Sequence, residues 1–148
     1  TGGSTLDSGI LFYNTENPEY SDECAAGTAT APAVMCIQQI FLNGAQASVD
    51  FYPLANGSIY DGLIIFQDRN LDIPGDDLVL NGSTSVLQVR GTIYLPSGDV
   101  RVNGSGGTTT TDQVIAKTFT VNGSPGSSVN VLFDERFVFK FTQAGLVE

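Results

Sequence analysis

Residues 90–104 read RGTIYLPSGDVRVNG. Ile93 and Leu95 alternate with Thr92 and Tyr94, and Val100 and Val102 flank Arg101. Each half therefore has one apolar and one polar face, as a half-buried strand requires. A Pro-Ser-Gly-Asp turn joins the halves, and the second half closes on Asn103-Gly104. The same apolar-Asn-Gly ending recurs at Leu42-Asn43-Gly44, Leu80-Asn81-Gly82 and Val121-Asn122-Gly123. A hairpin turn would explain it, and so would a corner repeated along a solenoid. So would an acceptor for N-linked sugar, because Asn56, Asn81, Asn103 and Asn122 each begin Asn-Gly-Ser. Turn chemistry is the favoured reading: Asn and Gly tolerate the backbone of a sharp corner, and an adjacent Ser can hydrogen-bond it.

Outward from this stretch the same alternation appears at Val49 and Phe51, Leu87 and Val89, Phe119 and Val121, Val129 and Val131, and Phe137, Phe139 and Phe141. No window carries a sustained helical stripe; a turn or two near Ala33 to Gln39 is the single helix candidate. Longer phrases also repeat. Gly9-Ile-Leu-Phe-Tyr-Asn-Thr resembles Gly62-Leu-Ile-Ile-Phe-Gln-Asp, and each leads through a loop to an apolar run ending in Asn-Gly. The last Asn-Gly pairs stand 22 and 19 residues apart, at Asn81, Asn103 and Asn122. Turns of that length suit a β-solenoid, in which each turn buries its core only by stacking on the next. The expected fold is all-β: a short right-handed β-solenoid with irregular coils, in one domain over residues 1–148, with a cysteine-bearing loop insertion at residues 16–36. A β-sandwich is the alternative, because it explains the alternation but not the repeated phrases.

Composition narrows the function classes. The chain has 148 residues and a net charge of −10, with six Lys and Arg and no histidine. Nucleic-acid binding, which needs clustered cations to neutralise phosphate, is excluded. Attraction to an anionic lipid surface is disfavoured for the same reason. Charged residues are only 15% of the chain, a balance common in extracellular β-rich proteins. Cys24 and Cys36 are read as one disulfide closing a local loop, which would place the chain outside the cytoplasm; two buried thiols are the alternative. Apolar stretches such as Leu63 to Phe66 are too short to span a bilayer. The opening Thr-Gly-Gly-Ser, without methionine, suggests a mature or excised segment of a longer protein.

Four groups of side chains are candidates for chemistry. Asp68, Asp72, Asp76 and Asp77 concentrate carboxylates in one loop, the donor type calcium prefers, although their spacing fits neither an EF-hand nor a calcium-binding β-roll. The bland alternative is a solvated loop with turn-capping aspartates. Asp99 and Arg101 share a strand face, as acid and base residues do on polysaccharide-active β-helix enzymes; a surface ion pair is the commoner cause of such a pair. Without histidine the usual Ser-His-Asp and Cys-His schemes are out of reach, and the expectation is a non-catalytic protein with no required cofactor. Tyr13, Tyr20, Tyr52, Tyr60 and Tyr94 are candidates for a binding surface such as one for a surface glycan, and Tyr52, Tyr60 and Tyr94 are expected on the outward phase of strands, where rings stack on a ligand or simply on one another. Phe137, Phe139 and Phe141 make a strongly apolar last strand, expected to cap the core or pair with a neighbouring copy.

The phrases GGSTLDSGILFYNT, IFLNGAQASVDFYP, YDGLIIFQDRN, LQVRGTIYLPSGDVRVNGSG, QVIAKTFTVNGS and a terminal GLVE follow in order along nearly the whole chain. In that order they resemble the C-terminal region of bacterial TadG-like proteins of the tight-adherence, or Flp-type, pilus-assembly systems. Gly62 to Arg69 and Gly91 to Pro96 carry the two phrases most typical of that pattern. The insertion from Glu16 departs from it. The resemblance implies a bacterial cell-envelope or secreted module, normally tethered by a membrane segment that lies outside this sequence. Its role would be in pilus assembly, surface attachment or adhesion, with other envelope or pilus proteins, or copies of itself, as partners. The alternative expectation is a structural subunit that polymerises end to end into an extracellular filament.

Overall fold

A strand of 19 residues cannot stay straight in a chain this short. Residues 86–104 would extend to about 60 Å, whereas a 148-residue domain has a radius of gyration of about 15 Å. The computed structural model, which describes residues 9–15, 39–44, 48–54, 57, 59–69, 75–82, 86–104 and 106–140, resolves the conflict by curling the sheet. Eight strands form one sheet: β1 (Phe12–Asn14), β2 (Ile40–Gly44), β3 (Val49–Phe51), β4 (Leu63–Gln67), β5 (Leu78–Gly82), β6 (Val86–Gly104), β7 (Thr108–Gly123) and β8 (Ser128–Val131). Every ladder among the described residues is parallel, and the sheet curls into a half-barrel.

The long strands bend at two corners, dividing the sheet into three rows. The first row is β3, residues 86–89 of β6, residues 108–111 of β7, and β8. The second is β1, β4, residues 92–95 of β6 and residues 113–116 of β7. The third is β2, β5, residues 99–104 of β6 and residues 118–123 of β7. At the first corner β6 spends Arg90 and Gly91 where β7 spends only Asp112; at the second it spends Pro96, Ser97 and Gly98 against Lys117. Paired residues are therefore 22 apart at Val86↔Thr108, 21 apart at Thr92↔Gln113 and 19 apart at Asp99↔Thr118. The shortening from 22 to 19 seen in the sequence is the removal of corner residues by two bulges.

Inward side chains from all three rows form one core: Leu87 and Val89, Ile64, Ile65, Ile93 and Leu95, and Leu78, Leu80, Val100 and Val102, all almost completely buried. Full burial of each such side chain is worth roughly 1.5–3 kcal/mol. The first corner is tight. Gly91 has φ +105°, and a Cβ there would lie 2.9 Å from Pro53 Cβ and 3.0 Å from the Gly62 carbonyl oxygen, so glycine is required on both counts. Asp112 locks the same corner: one oxygen accepts from the Gly91 N–H at 2.6 Å and from Arg90 Nε at 2.9 Å, and the other lies 2.8 Å from the Arg90 guanidinium.

Several expectations need correction or placement. The sandwich alternative predicts two antiparallel sheets; the described strands make a single parallel one. The Asn-Gly endings close strands that pair in parallel, so they are not hairpin turns, and the Pro-Ser-Gly-Asp turn is a corner within β6. The last-strand reading of Phe137, Phe139 and Phe141 fails over the residues described. Residues 134–138 turn, 139–140 are irregular, and Phe137 and Val138 are both buried although adjacent, which no strand facing one core allows. The chain turns there because Asp134 accepts from the Arg136 N–H at 3.0 Å and the Phe137 N–H bonds the Asp134 carbonyl at 3.0 Å. Gln39 is not helical. Tyr20, Cys24, Cys36, Asp72, Phe141, the insertion at 16–36 and the rest of the helix candidate lie outside the described residues.

Candidate functional site

Because side chains alternate along a strand, burying Ile65 and Gln67 of β4, and Ile93 and Leu95 of β6, forces Phe66 and Tyr94 outward. Parallel in-register pairing then puts like next to like: Tyr13, Phe66 and Tyr94 are Cα partners across β1, β4 and β6. Their rings stack into a ladder on the outer face of the second row. Tyr13 and Phe66 lie 5.0 Å apart at 13°, and Phe66 and Tyr94 lie 5.5 Å apart at 9°. Tyr60 meets Tyr13 edge-on at 6.1 Å and 75°. Tyr13 is half exposed, so the ladder presents flat π-surface to solvent at its β1 end.

Beside the ladder lies an open cleft of about 260 Å³, lined by Ile59, Tyr60, Leu63, Phe66, Asp68, Arg69, Tyr94 and Phe139. Its walls are fixed. The turn at 57–62 is closed by the Gly57 N–H to Asp61 Oδ2 at 3.2 Å and the Leu63 N–H to the Tyr60 carbonyl at 2.9 Å. Phe139 is held by its N–H to Thr92 Oγ1 at 2.8 Å. Arg69 donates from Nη2 to the Tyr94 hydroxyl at 3.3 Å, and its carbonyl accepts from Ser97 Oγ. A more polar hollow of about 390 Å³ adjoins it, sharing Ile59 and Phe139 and adding Asp61, Glu135, Arg136 and Lys140. An apolar floor with a few convergent polar groups at its rim is what a ligand-binding cleft requires.

Of the three tyrosines expected on an outward phase, Tyr60 and Tyr94 are brought together and Tyr52 is not. Tyr52 packs on Phe137 at 5.7 Å, where Phe137 also lies 4.9 Å from the Arg90 guanidinium and 5.2 Å from that of Arg136. Arg136 binds Asp134 at 2.6 Å, and this hydrogen bond holds the Asp134 carboxyl down to about 2. Tyr13 is one of the five candidate tyrosines but not one of the three expected on an outward phase, and the sequence-based choice missed Phe66. The signal was present: aligning Gly9 to Asn14 with Gly62 to Gln67 pairs Tyr13 with Phe66, which is the register observed.

The described aspartates of the acidic loop, Asp68, Asp76 and Asp77, serve different partners. Asp77 is fully buried, accepting from Gln67 Nε2 and from the Asp99 N–H at 2.8 Å; Gln67 in turn accepts from Asn14 Nδ2 at 3.0 Å. Asp76 pairs with Arg101 at 3.0 Å, and Asp68 lines the aromatic cleft. Among the described residues no three carboxylate, thiol or imidazole groups gather where they could hold a metal ion. Asp99 and Arg101 do share a face, but Asp99 accepts from the Thr118 hydroxyl at 2.6 Å and Arg101 is directed to Asp76. Asn43, Asn81, Asn103 and Asn122 stand in register in the third row, with Asn81 Nδ2 donating to Asn43 Oδ1 and Asn122 Nδ2 to Asn103 Oδ1, both at 3.3 Å.

Comparison with family models, curated proteins and solved structures finds no match for this chain.

Proposed function

We propose that the chain is a non-catalytic binding module of the bacterial cell envelope or its secreted surface assemblies, built as a short β-solenoid, and that it attaches to surface polysaccharide through the aromatic ladder and its cleft. The observation that carries this reading is the stack of Tyr13, Phe66 and Tyr94 on the outer face, with Tyr60, Asp68 and Arg69 at its edge. Flat rings spaced one strand apart give a sugar chain successive apolar platforms, and the polar rim supplies partners for its hydroxyls. The solenoid part is supported by three parallel rows in which repeated phrases pair with one another, and by the right-handed crossover rule for parallel strands. The resemblance to TadG-like pilus-assembly proteins favours attachment as the role and the cell surface as the place.

The test is co-sedimentation with a panel of insoluble polysaccharides and with bacterial cell-wall sacculi. Wild type binds at least one of them, and Tyr94→Ala weakens that binding at least tenfold, because stacking residues at the centre of an interface cost about 2 kcal/mol or more when truncated. Tyr52→Ala leaves it unchanged. Equal binding by wild type and Tyr94→Ala would sink the reading.

The second reading, a structural subunit that polymerises end to end, is favoured by a different observation: the third row ends in two apolar strands, β2 and the last half of β7, each paired on one side only among the described residues.

A further inference from the structure

Three features of the two ends of the sheet point to one occupant. The first is the uncovered core at the β7 end. Phe119 and Val121 are register partners of Val100 and Val102, which are buried, yet they remain 41% and 49% exposed. Residues 118–123 and, at the opposite end, Ile40–Gly44 contain no charged residue themselves, although Lys117 flanks the first. Sheet edges of monomers are normally blunted by such charges.

The second feature is the stepped outline. Each row contains four strand segments, but they are staggered: the first row starts one level later than the others, at β3, and ends one level later, at β8. A second copy translated along the stacking direction by four levels continues all three rows, with none of the described strands missing and none overlapping. Its β2 follows β7 in the third row, its β1 follows residues 113–116 in the second, and its β3 follows β8 in the first.

The third feature is the sequence of the facing strands. The third row reads IFLNG, LVLNG, VRVNG and FTVNG in order. Placing IFLNG of a second copy on FTVNG repeats a pairing that the chain already makes three times. The asparagine ladder has a direction: in both the Asn81–Asn43 and the Asn122–Asn103 hydrogen bond the later asparagine donates to the earlier one. In the proposed joint the second copy's Asn43 Nδ2 donates to Asn122 Oδ1 in that same direction.

We infer that the residue 118–123 edge of β7 in one copy is the docking site for β2 of a second copy, in parallel register, giving an open head-to-tail assembly. Such a contact is heterologous and does not close, so it extends into a fibre. It rests on the stacked-turn reading of the sheet and is independent of the aromatic cleft. The net charge of −10 opposes it, so assembly is expected to strengthen as salt shortens the screening length from about 30 Å at 0.01 M to about 8 Å at 0.15 M.

The experiment is sedimentation velocity on the full chain over a concentration series at both salt levels. Wild type should show mass rising with concentration, more strongly at the higher salt. Val121→Lys blocks the β7 edge and Leu42→Lys the β2 edge, so each alone should remain a single chain. An equal mixture has one intact pair of edges and should form dimers and nothing larger, a result that misfolded variants would not give. A constant single-chain mass for wild type overturns the proposal, and so does unchanged assembly by both variants. Nuclear Overhauser contacts between Asn81 and Asn103 within a chain report the stacked turns; isotope-filtered contacts from Asn122 of one chain to Asn43 of another report the joint. Presence of the first without the second rejects the joint alone, and absence of both rejects the stacked-turn reading with it.

Discussion

Asp112 and Asp76 each face an arginine, and burial separates their worth. The Asp112 side chain is wholly buried, accepts from the Gly91 N–H and from Nε of the Arg90 guanidinium, pairs with its Nη2, and sits in the corner where β6 carries one residue more than β7. Removing one member of a buried pair strands the other, so Asp112→Ala is expected to cost about 3 kcal/mol in chemical denaturation. Asp76 meets an Arg101 whose side chain is 44% exposed, and Asp76→Ala should cost less than about 1 kcal/mol. Equal losses would contradict the corner-lock role. Asp134 gives the pH dependence. Its carboxyl is held below the ordinary 3.8, at about 2, chiefly by the Arg136 side chain. A depressed folded value means stability that is present above about pH 4 and lost as pH falls toward 2. Arg136→Ala should return the Asp134 titration, followed by carboxyl NMR, toward 3.8 and remove that acid-side loss.

At the scale of elements, the corners decide whether β6 can serve three rows. Gly91→Ala forces a side chain into φ +105° and against Pro53, and should destabilise by about 1–3 kcal/mol, measured by urea melting. The strands were legible where phrases repeat: the LVLNG, VRVNG and FTVNG endings, and GILFYN beside GLIIFQ, predict the observed register residue for residue. The last segment was not legible. Phe137, Val138 and Phe139 are all apolar, so alternation has no polar phase to mark a face, and the turn made by Asp134 and Arg136 decides the path instead. Buried Gln67 and Asp77 were also hidden, because a polar residue reads as outward until its partner, ten residues away in sequence, is known. Tyr94 could be read from its outward phase on β6, whereas Tyr60 reaches the site from the turn at 59–62, where strand alternation does not apply. Tyr13 meets Phe66 across 53 residues of sequence only because β1 lies in parallel register on β4.

For the whole molecule, the parallel register is the common cause of the features argued to bear function. Repeated phrases brought into register make an aromatic ladder on the second row and an asparagine ladder on the third. In the proposed function the first is the surface for a flat, hydroxyl-rich ligand, and in the proposed assembly the second marks the direction in which copies would add. Both follow from like residues being placed on like, which is also how a chain with 15% charged residues keeps a polar outer face. The most direct measurement is chemical-shift mapping of the isotope-labelled Val121→Lys variant titrated with a soluble oligosaccharide of whichever polysaccharide it co-sediments with. The account predicts shifts confined to Tyr13, Tyr60, Phe66, Arg69 and Tyr94. Shifts centred on Tyr52 and Phe137, or none at saturating sugar, would contradict it.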